Sequence, residues 1–220
     1  MKEDVIKAEL QRLSEAGKKI FITSSFQTHS IPLLHILAAS GVPFHTFFLH
    51  TNFHFPETLQ FRNQITKLLS LQLTSIRSPI PLSMQRDTTG RFLYSSDPEY
   101  CCEINKTQPL QPYLNHYDIW VSGVRRDQSS ARAKMSRYQA TGHRAQRFHP
   151  ILDWTSRDIY EYRMRHQLPP HPLDDAGYVS IGCAPCTRHW DSVDDRGGRW
   201  FGMQKTECGL HTQLIKEETT

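Results

Sequence analysis

The 220-residue chain carries 26 Lys and Arg against 22 Asp and Glu, a formal charge of +4, with 38% hydrophobic and 22% charged residues. That length fits one domain with a single sizeable core, and the composition is ordinary for a soluble globular protein and too polar for a membrane one. No stretch approaches the roughly 18 consecutive apolar residues of a membrane span. The charge excess is too small to imply wrapping of a nucleic acid, yet it suits a small anionic substrate. The N-terminal run MKEDVIKAELQRLSEAGKK is charged throughout and lacks the apolar region of a secretory signal, so a cytoplasmic location is expected.

Ile6, Leu10 and Leu13 recur on one helical face, which predicts an amphipathic helix over residues 4–16 ending at Gly17. KKIFITSS reads as a short buried strand entering the polar turn SSFQTHS, and IPLLHILAAS as a packed helix closed by Gly41. The rhythm repeats with PFHTFFLHT and a helix opening at Pro56-Glu57, where proline suits the first turn. LQLTSIRS is a third strand, Asp118 to Arg126 within YDIWVSGVRR a fourth, and FHPILDW a fifth leading into a helix capped by Thr155. Strands alternating with helices predict an α/β fold, a doubly wound, mostly parallel sheet with helices on both faces. Ligands in such folds sit at the carboxyl ends of the strands, which would gather SSFQTHS, HTNFHFPE and GVRRDQSSAR at one site. Residues 79–104 and the tail from about residue 187 fit neither strand nor helix, as suits irregular segments around a site.

Five cysteines in a reducing compartment point to metal ligands or catalytic thiols rather than to a disulfide framework. Cys183-Ala-Pro-Cys186 is a C-x-x-C pair, and Cys101-Cys102 is a vicinal pair upstream. Four thiolates could close a zinc site or hold an iron-sulfur cluster. Adjacent cysteines on an extended backbone diverge, which is awkward for one small ion, whereas a cluster offers several irons. A redox C-x-x-C pair or buried structural thiols are the alternatives. Cys208 stands apart in KTECGLH between Lys205 and His211, where positive charge favours the attacking thiolate; a lone thiol on a frayed tail is the plainer alternative.

The ordered motifs SSF, FPET, CCEINKTQPL, GVRRDQSSARA, HPILDW, HPLDDAGYVSIGCAPCTR, RGGRW and KTECGLH together resemble the phosphoadenylyl- and adenylyl-sulfate reductase family of assimilatory sulfate reduction. The resemblance runs from about residue 18 to His211. It implies an adenine-nucleotide-binding α/β fold in a single catalytic domain over residues 1–220, with a mobile C-terminal segment from about 191 carrying the catalytic cysteine. Members with both cysteine pairs carry a 4Fe-4S cluster, so the resemblance implies that Cys101, Cys102, Cys183 and Cys186 are its ligands. The sequence departs from the family at Gln27, where a glycine usually follows SSF, and at His50-Thr51-Asn52, where the family usually has Asp-Thr-Gly.

By the same resemblance Cys208 attacks the sulfur of adenylyl sulfate, AMP leaves, and reduced thioredoxin (or glutaredoxin) frees sulfite from the S-sulfocysteine. Lys106 is similar to the family lysine between cluster and substrate. Arg125, Arg126, Arg132, Arg196 and Arg199 are candidates for phosphate and sulfate oxygens, which a guanidinium grips bidentately, and His211 for the sulfate. Ser24, Ser25 and Thr28, with the amides of the following helix, are expected to cradle the α-phosphate. Trp154 and Trp190 are expected in the core or shielding the cluster, and His29, His45 and His54 form no ligand set. A phosphoadenylyl-sulfate reductase or dual-specificity enzyme is the alternative, and an RNA sulfur transferase of related fold is disfavoured by the absence of a basic stripe. Assembly into a homo-oligomer is compatible with every feature of the sequence.

Overall fold

The computed structural model of the chain describes residues 1–189, 197–200, 202, 203, 205, 207–211 and 214. Strands β1 (Ile20–Thr23), β2 (Phe44–Leu49), β3 (Leu73–Ile76), β4 (Ile119–Val121), β5 (Tyr138–Ala140) and β6 (Gln146–Phe148) form one sheet in the order β3-β2-β1-β4-β6-β5. Every pairing is parallel except that of β5 with β6.

Side chains of a strand alternate between faces, and here the alternation separates two cores. Ile20, Ile22, Ile119 and Val121 enter one cluster, with residues of α1 (Lys2–Glu15), α2 (Ile31–Ala38) and α8 (Ser156–Arg165). Phe21 and Trp120 enter the other, beneath Leu110 and Leu114 of α6 (Gln108–His116). Both central strands are buried on both faces, which is why they read as continuous apolar runs. Leu214 packs into the second core, so the described end of the tail returns to the sheet.

α1 buries Ile6, Leu10 and Leu13 as its periodicity predicts, and α3 (Pro56–Leu68) opens at its proline. Thr155 caps α8, accepting from the Asp158 amide while the Asp158 carboxylate accepts from its own. Two expectations are corrected, and one strand is added. The fifth parallel strand ends at Phe148, and most of FHPILDW is a turn that hands the chain to α8. β5 carries no alternating apolar pattern of its own and was not legible in the sequence; it edges the sheet by pairing back on β6. Residues 79–104 are not structureless, for they include α4 (Leu93–Ser96) and α5 (Pro98–Cys102). α5 starts at Pro98 and is capped by Asp97, which accepts from the Tyr100 amide. No helix among the described residues is long and apolar enough to cross a membrane.

Candidate active site

The sheet order reverses between β1 and β4, and a cavity opens at the carboxyl ends of these strands, where an α/β sheet places its ligand. Its walls come from Ser24, Ser25 and Gln27 after β1, His54 after β2, and Ser122 and Gly123 after β4. Lys106, Arg132, Arg199, Cys183 and Cys208 also line it.

The first loop turns sharply because Phe26 adopts φ +56°, a conformation that costs a non-glycine residue roughly 1–3 kcal/mol and persists only where its surroundings enforce it. Here complete burial of the Phe26 ring and acceptance of its amide by Ser24 Oγ at 3.1 Å enforce it. Gln27 has an ordinary φ of −72° and needs no glycine; its Oε1 accepts from the Ile181 amide at 3.2 Å, tying this loop to the segment before Cys183. Asn52 adopts φ +64°, which asparagine tolerates better than most residues, so it fills a left-handed position otherwise suited to glycine.

Ser24 and Ser25 lie on the cavity as expected, but Thr28 does not. Its hydroxyl donates to Asp174 and accepts from the His171 amide at 2.8 Å, so it clamps the loop from behind. The arginines divide similarly. Arg125 is fully buried, spanning Asp127, His29 and Ser156, and Arg126 reaches outward to Asp153 at 2.7 Å and to the carbonyls of Ala133 and Met135. Neither lines the cavity, because paired acceptors hold both against the protein. Arg132 and Arg199 do line it. Arg132 projects from α7 (Ser130–Ala133), whose cap Ser129 accepts the Arg132 amide. Arg196, Trp190 and the side chain of His211 lie outside the described residues. Trp154 is core, packed on Tyr162.

Cys101, Cys102, Cys183 and Cys186 line one small cavity together with Thr51, Phe53, Tyr94, Lys106 and Trp200. The vicinal pair is not extended, as the spacing argument assumed. It ends α5, where successive residues point about 100° apart, and a π-helical turn, Glu103–Thr107, follows directly. Such turns are rare and gather at functional sites; this one sets Lys106 between the cysteine cavity and the main one. The C-x-x-C turn is fastened by Ala184 N donating to Phe53 O at 2.7 Å and Trp200 N donating to Cys186 O at 3.1 Å. Burial pushes the Cys101 thiol up to about 11 and raises Cys186. Cys102 is raised as well, by its hydrogen bond to Cys208 and then by burial. Thiolates are therefore costly in this cavity without a compensating cation, and four thiols around one space, three of them buried, are a donor set whose chemistry fits an iron-sulfur cluster. Among the described residues, no three His, Cys, Asp or Glu side chains converge as ligands of a single ion.

Cys208 is half-buried, with Lys106 Nζ 3.7 Å from its Sγ. Its thiol is held well below the usual value, first by a hydrogen bond with Cys102 and then by Lys106, the Leu210 amide and Arg199. If Cys102 is occupied as a metal ligand, its thiol proton is gone and the other three groups remain. Burial alone would lower the Lys106 ammonium, but Cys183, Cys208 and Cys102 hold it well above its ordinary range. Three contacts escaped the sequence reading. Glu207 forms a buried bidentate pair with Arg132, Lys205 Nζ reaches Glu99 of α5 at 2.6 Å, and Arg147 Nη1 donates to Leu210 O at 3.0 Å. A lone Glu, Lys or Arg carries no local signal for so distant a partner.

Residues 19–189 match the model of the phosphoadenosine phosphosulfate reductase domain. The chain belongs to this family. It is 38% identical over 200 residues to the phosphoadenosine 5'-phosphosulfate reductase of Gloeobacter violaceus, covering 89% of this chain and 83% of that one. It is 37% identical over 219 residues to an adenosine 5'-phosphosulfate reductase of Bacillus cereus, covering 96% and 93%. The fold matches that of a phosphoadenylyl-sulfate reductase from Candida auris, solved as a phosphate complex, with a TM-score of 0.67, 19% identity and coverage of 81% and 88%. The family resemblance seen in the motifs and the mostly parallel sheet are thus both borne out.

Proposed function

We propose that this reductase-family chain converts adenylyl sulfate to sulfite and AMP, with a thioredoxin-type dithiol as reductant. The observation that carries this reading is the placement of Cys208 beside Lys106 on a cavity at the strand ends, with four further cysteines gathered behind the lysine.

Lys106 stabilises the Cys208 thiolate and offsets its repulsion from an anionic substrate. The thiolate attacks the sulfur of adenylyl sulfate; a sulfur-sulfur bond forms, the sulfur-oxygen bond to phosphate breaks, and AMP departs with that electron pair. One thiolate of the donor then attacks Cys208 of the S-sulfocysteine and sulfite leaves. The donor's second thiol resolves the mixed disulfide, so the dithiol is oxidised, sulfur is reduced by two electrons and Cys208 is regenerated. Ser24, Ser25 and the neighbouring amides suit the α-phosphate, and Arg199 suits the sulfonate oxygens. The need for a reduced dithiol accords with the cytoplasm, and the segment from about residue 191 works as part of the same domain.

Cys101, Cys102, Cys183 and Cys186 are read as holding a 4Fe-4S cluster, which would join two distant segments and, as a compact anionic group, add to the field at Lys106. The donor set supports this reading, as does a vicinal pair whose side chains leave the helix about 100° apart, which suits several irons better than one ion.

The relatives' names divide between adenosine and phosphoadenosine substrates, so the deciding experiment is sulfite release from each nucleotide with thioredoxin. Adenylyl sulfate should give the higher kcat/KM. A tenfold preference for the 3'-phosphorylated nucleotide, about 1.4 kcal/mol in transition-state binding, would replace this reading with the phosphoadenylyl one. No sulfite from either would overturn both.

A further inference from the structure

Arg132 is the cavity-lining cation placed to meet a substrate oxyanion from the β4 side, yet its guanidinium is occupied. Nε lies 3.2 Å from Glu207 Oε1, Nη2 lies 2.9 Å from Glu207 Oε2, and Nη1 donates to Gln128 Oε1. Both partners of the ion pair are 5% exposed. A carboxylate gripped by two parallel N–H bonds has the geometry that a guanidinium also offers to phosphate or sulfate. Arg132 therefore cannot offer that fork to a ligand and keep Glu207 at the same time. Glu207 is also bonded directly to Cys208, so whatever moves Glu207 moves the nucleophile.

We propose that Glu207 is a resident anion on the Arg132 subsite, a latch that holds Cys208 docked until an anionic group of the substrate takes its place. The exchange is charge for charge and leaves no buried guanidinium unpaired, which is what would make opening by simple separation costly. The flanks of the tail have their own anchors, Lys205 on Glu99 and Leu210 O on Arg147. Loss of the Arg132 pair thus loosens the middle of the segment, where Lys106 still faces Cys208, without detaching it. Glu207 is a positioning residue in this scheme: it contacts no substrate and acts through Arg132 and its neighbour Cys208.

The proposal rests on the reading of the cavity as a nucleotide site. A ligand that must displace an internal anion binds more weakly by the cost of that displacement. The two halves of the latch therefore have opposite effects on affinity, whereas an ion pair that merely supports the fold would weaken binding from either side. Calorimetry on anaerobically purified protein with its metal intact, using AMP and inorganic sulfate as separate probes, reads this directly. Glu207→Gln should bind at least one probe severalfold tighter than the unaltered protein, and Arg132→Gln should bind the same probe about tenfold weaker. The probe that responds identifies the oxyanion that sits on Arg132. Amide exchange over residues 207–210 should be faster in Glu207→Gln without ligand, and the responding probe should bring the unaltered protein toward that rate. Glu207→Asp, which keeps the charge, should fall between the two. Equal or weaker binding of both probes by Glu207→Gln, while the unaltered protein binds AMP, would overturn the latch and leave the proposed activity standing. If the unaltered protein binds no AMP, the nucleotide reading fails; opposite shifts with sulfate would then still support the latch, and no sulfate response would overturn it too.

Discussion

Lys106 Nζ lies 3.7 Å from Cys208 Sγ, across a sequence separation of 102 residues. The π-helical turn after the vicinal cysteines supplies the lysine, the docked tail supplies the thiol, and the pairing brings the fifth cysteine to the edge of the cavity formed by the other four. Different duties for the two kinds of cysteine follow from that geometry.

Cys208→Ser should keep its iron and its affinity for AMP, since it leaves the four-cysteine cavity intact. It should form no sulfonate adduct when mixed with adenylyl sulfate in the absence of thioredoxin, whereas the unaltered protein should gain one sulfonate mass that thioredoxin removes. Peptide mass spectrometry that places the adduct on Cys183 or Cys186 would reassign the nucleophile.

Anaerobically purified protein should be brown and hold about four irons per chain, as one cubane cluster requires. Cys102→Ser or Cys183→Ser should lose iron and activity together. Stoichiometric zinc without iron in the unaltered protein would sink the cluster reading.

Thr28 and Ser25 should respond differently to removal of their hydroxyls. Thr28→Val leaves the half-buried Asp174 carboxylate and the buried His171 amide without their partner, which costs about 1–3 kcal/mol of stability. Ser25→Ala should leave stability nearly unchanged and raise KM. Urea unfolding beside steady-state kinetics separates the two, and a Thr28 variant altered only in KM would return that residue to the phosphate site.

A glycine contact controls Arg199. An added Cβ at Gly182 would overlap Arg199 Nη2, and the guanidinium, as the end of a flexible side chain, would yield. Gly182→Ala should keep its iron and raise KM about tenfold, the loss of one charge-assisted contact. An unchanged KM would remove Arg199 from the substrate.

Stability should fall in mild acid through two buried histidines. His171 Nδ1 accepts from the Leu173 amide, so Nε2 carries the proton toward Thr58; burial pushes its pKa down to about 4. Burial, with help from Arg147, takes His149 to about 3. An unfolded histidine titrates near 6.5, so below that pH the unfolded chain binds more protons than the folded one. The stabilising contribution is complete above pH 6.5 and is lost progressively toward pH 4, on the order of 2 kcal/mol between pH 6.5 and 5.5 for the pair. Urea midpoints at those two values test the slope, which His171→Asn should reduce by about half.

The sequence alone determined the fold class, the two cysteine pairs, the isolated Cys208 and the serine turn after the first strand. These are short-range properties: strand and helix periods repeat within a few residues, and a C-x-x-C pair is visible in its own spacing. Tertiary structure decided which of the charged and hydroxyl side chains face the cavity. Arg126 turns away because Asp153 lies 27 residues on, Arg132 meets Glu207 at a separation of 75, and Thr28 is claimed by Asp174 at 146. Whether an arginine or a hydroxyl is free depends on its acceptors, and those acceptors arrive from parts of the chain that only the closed fold brings together.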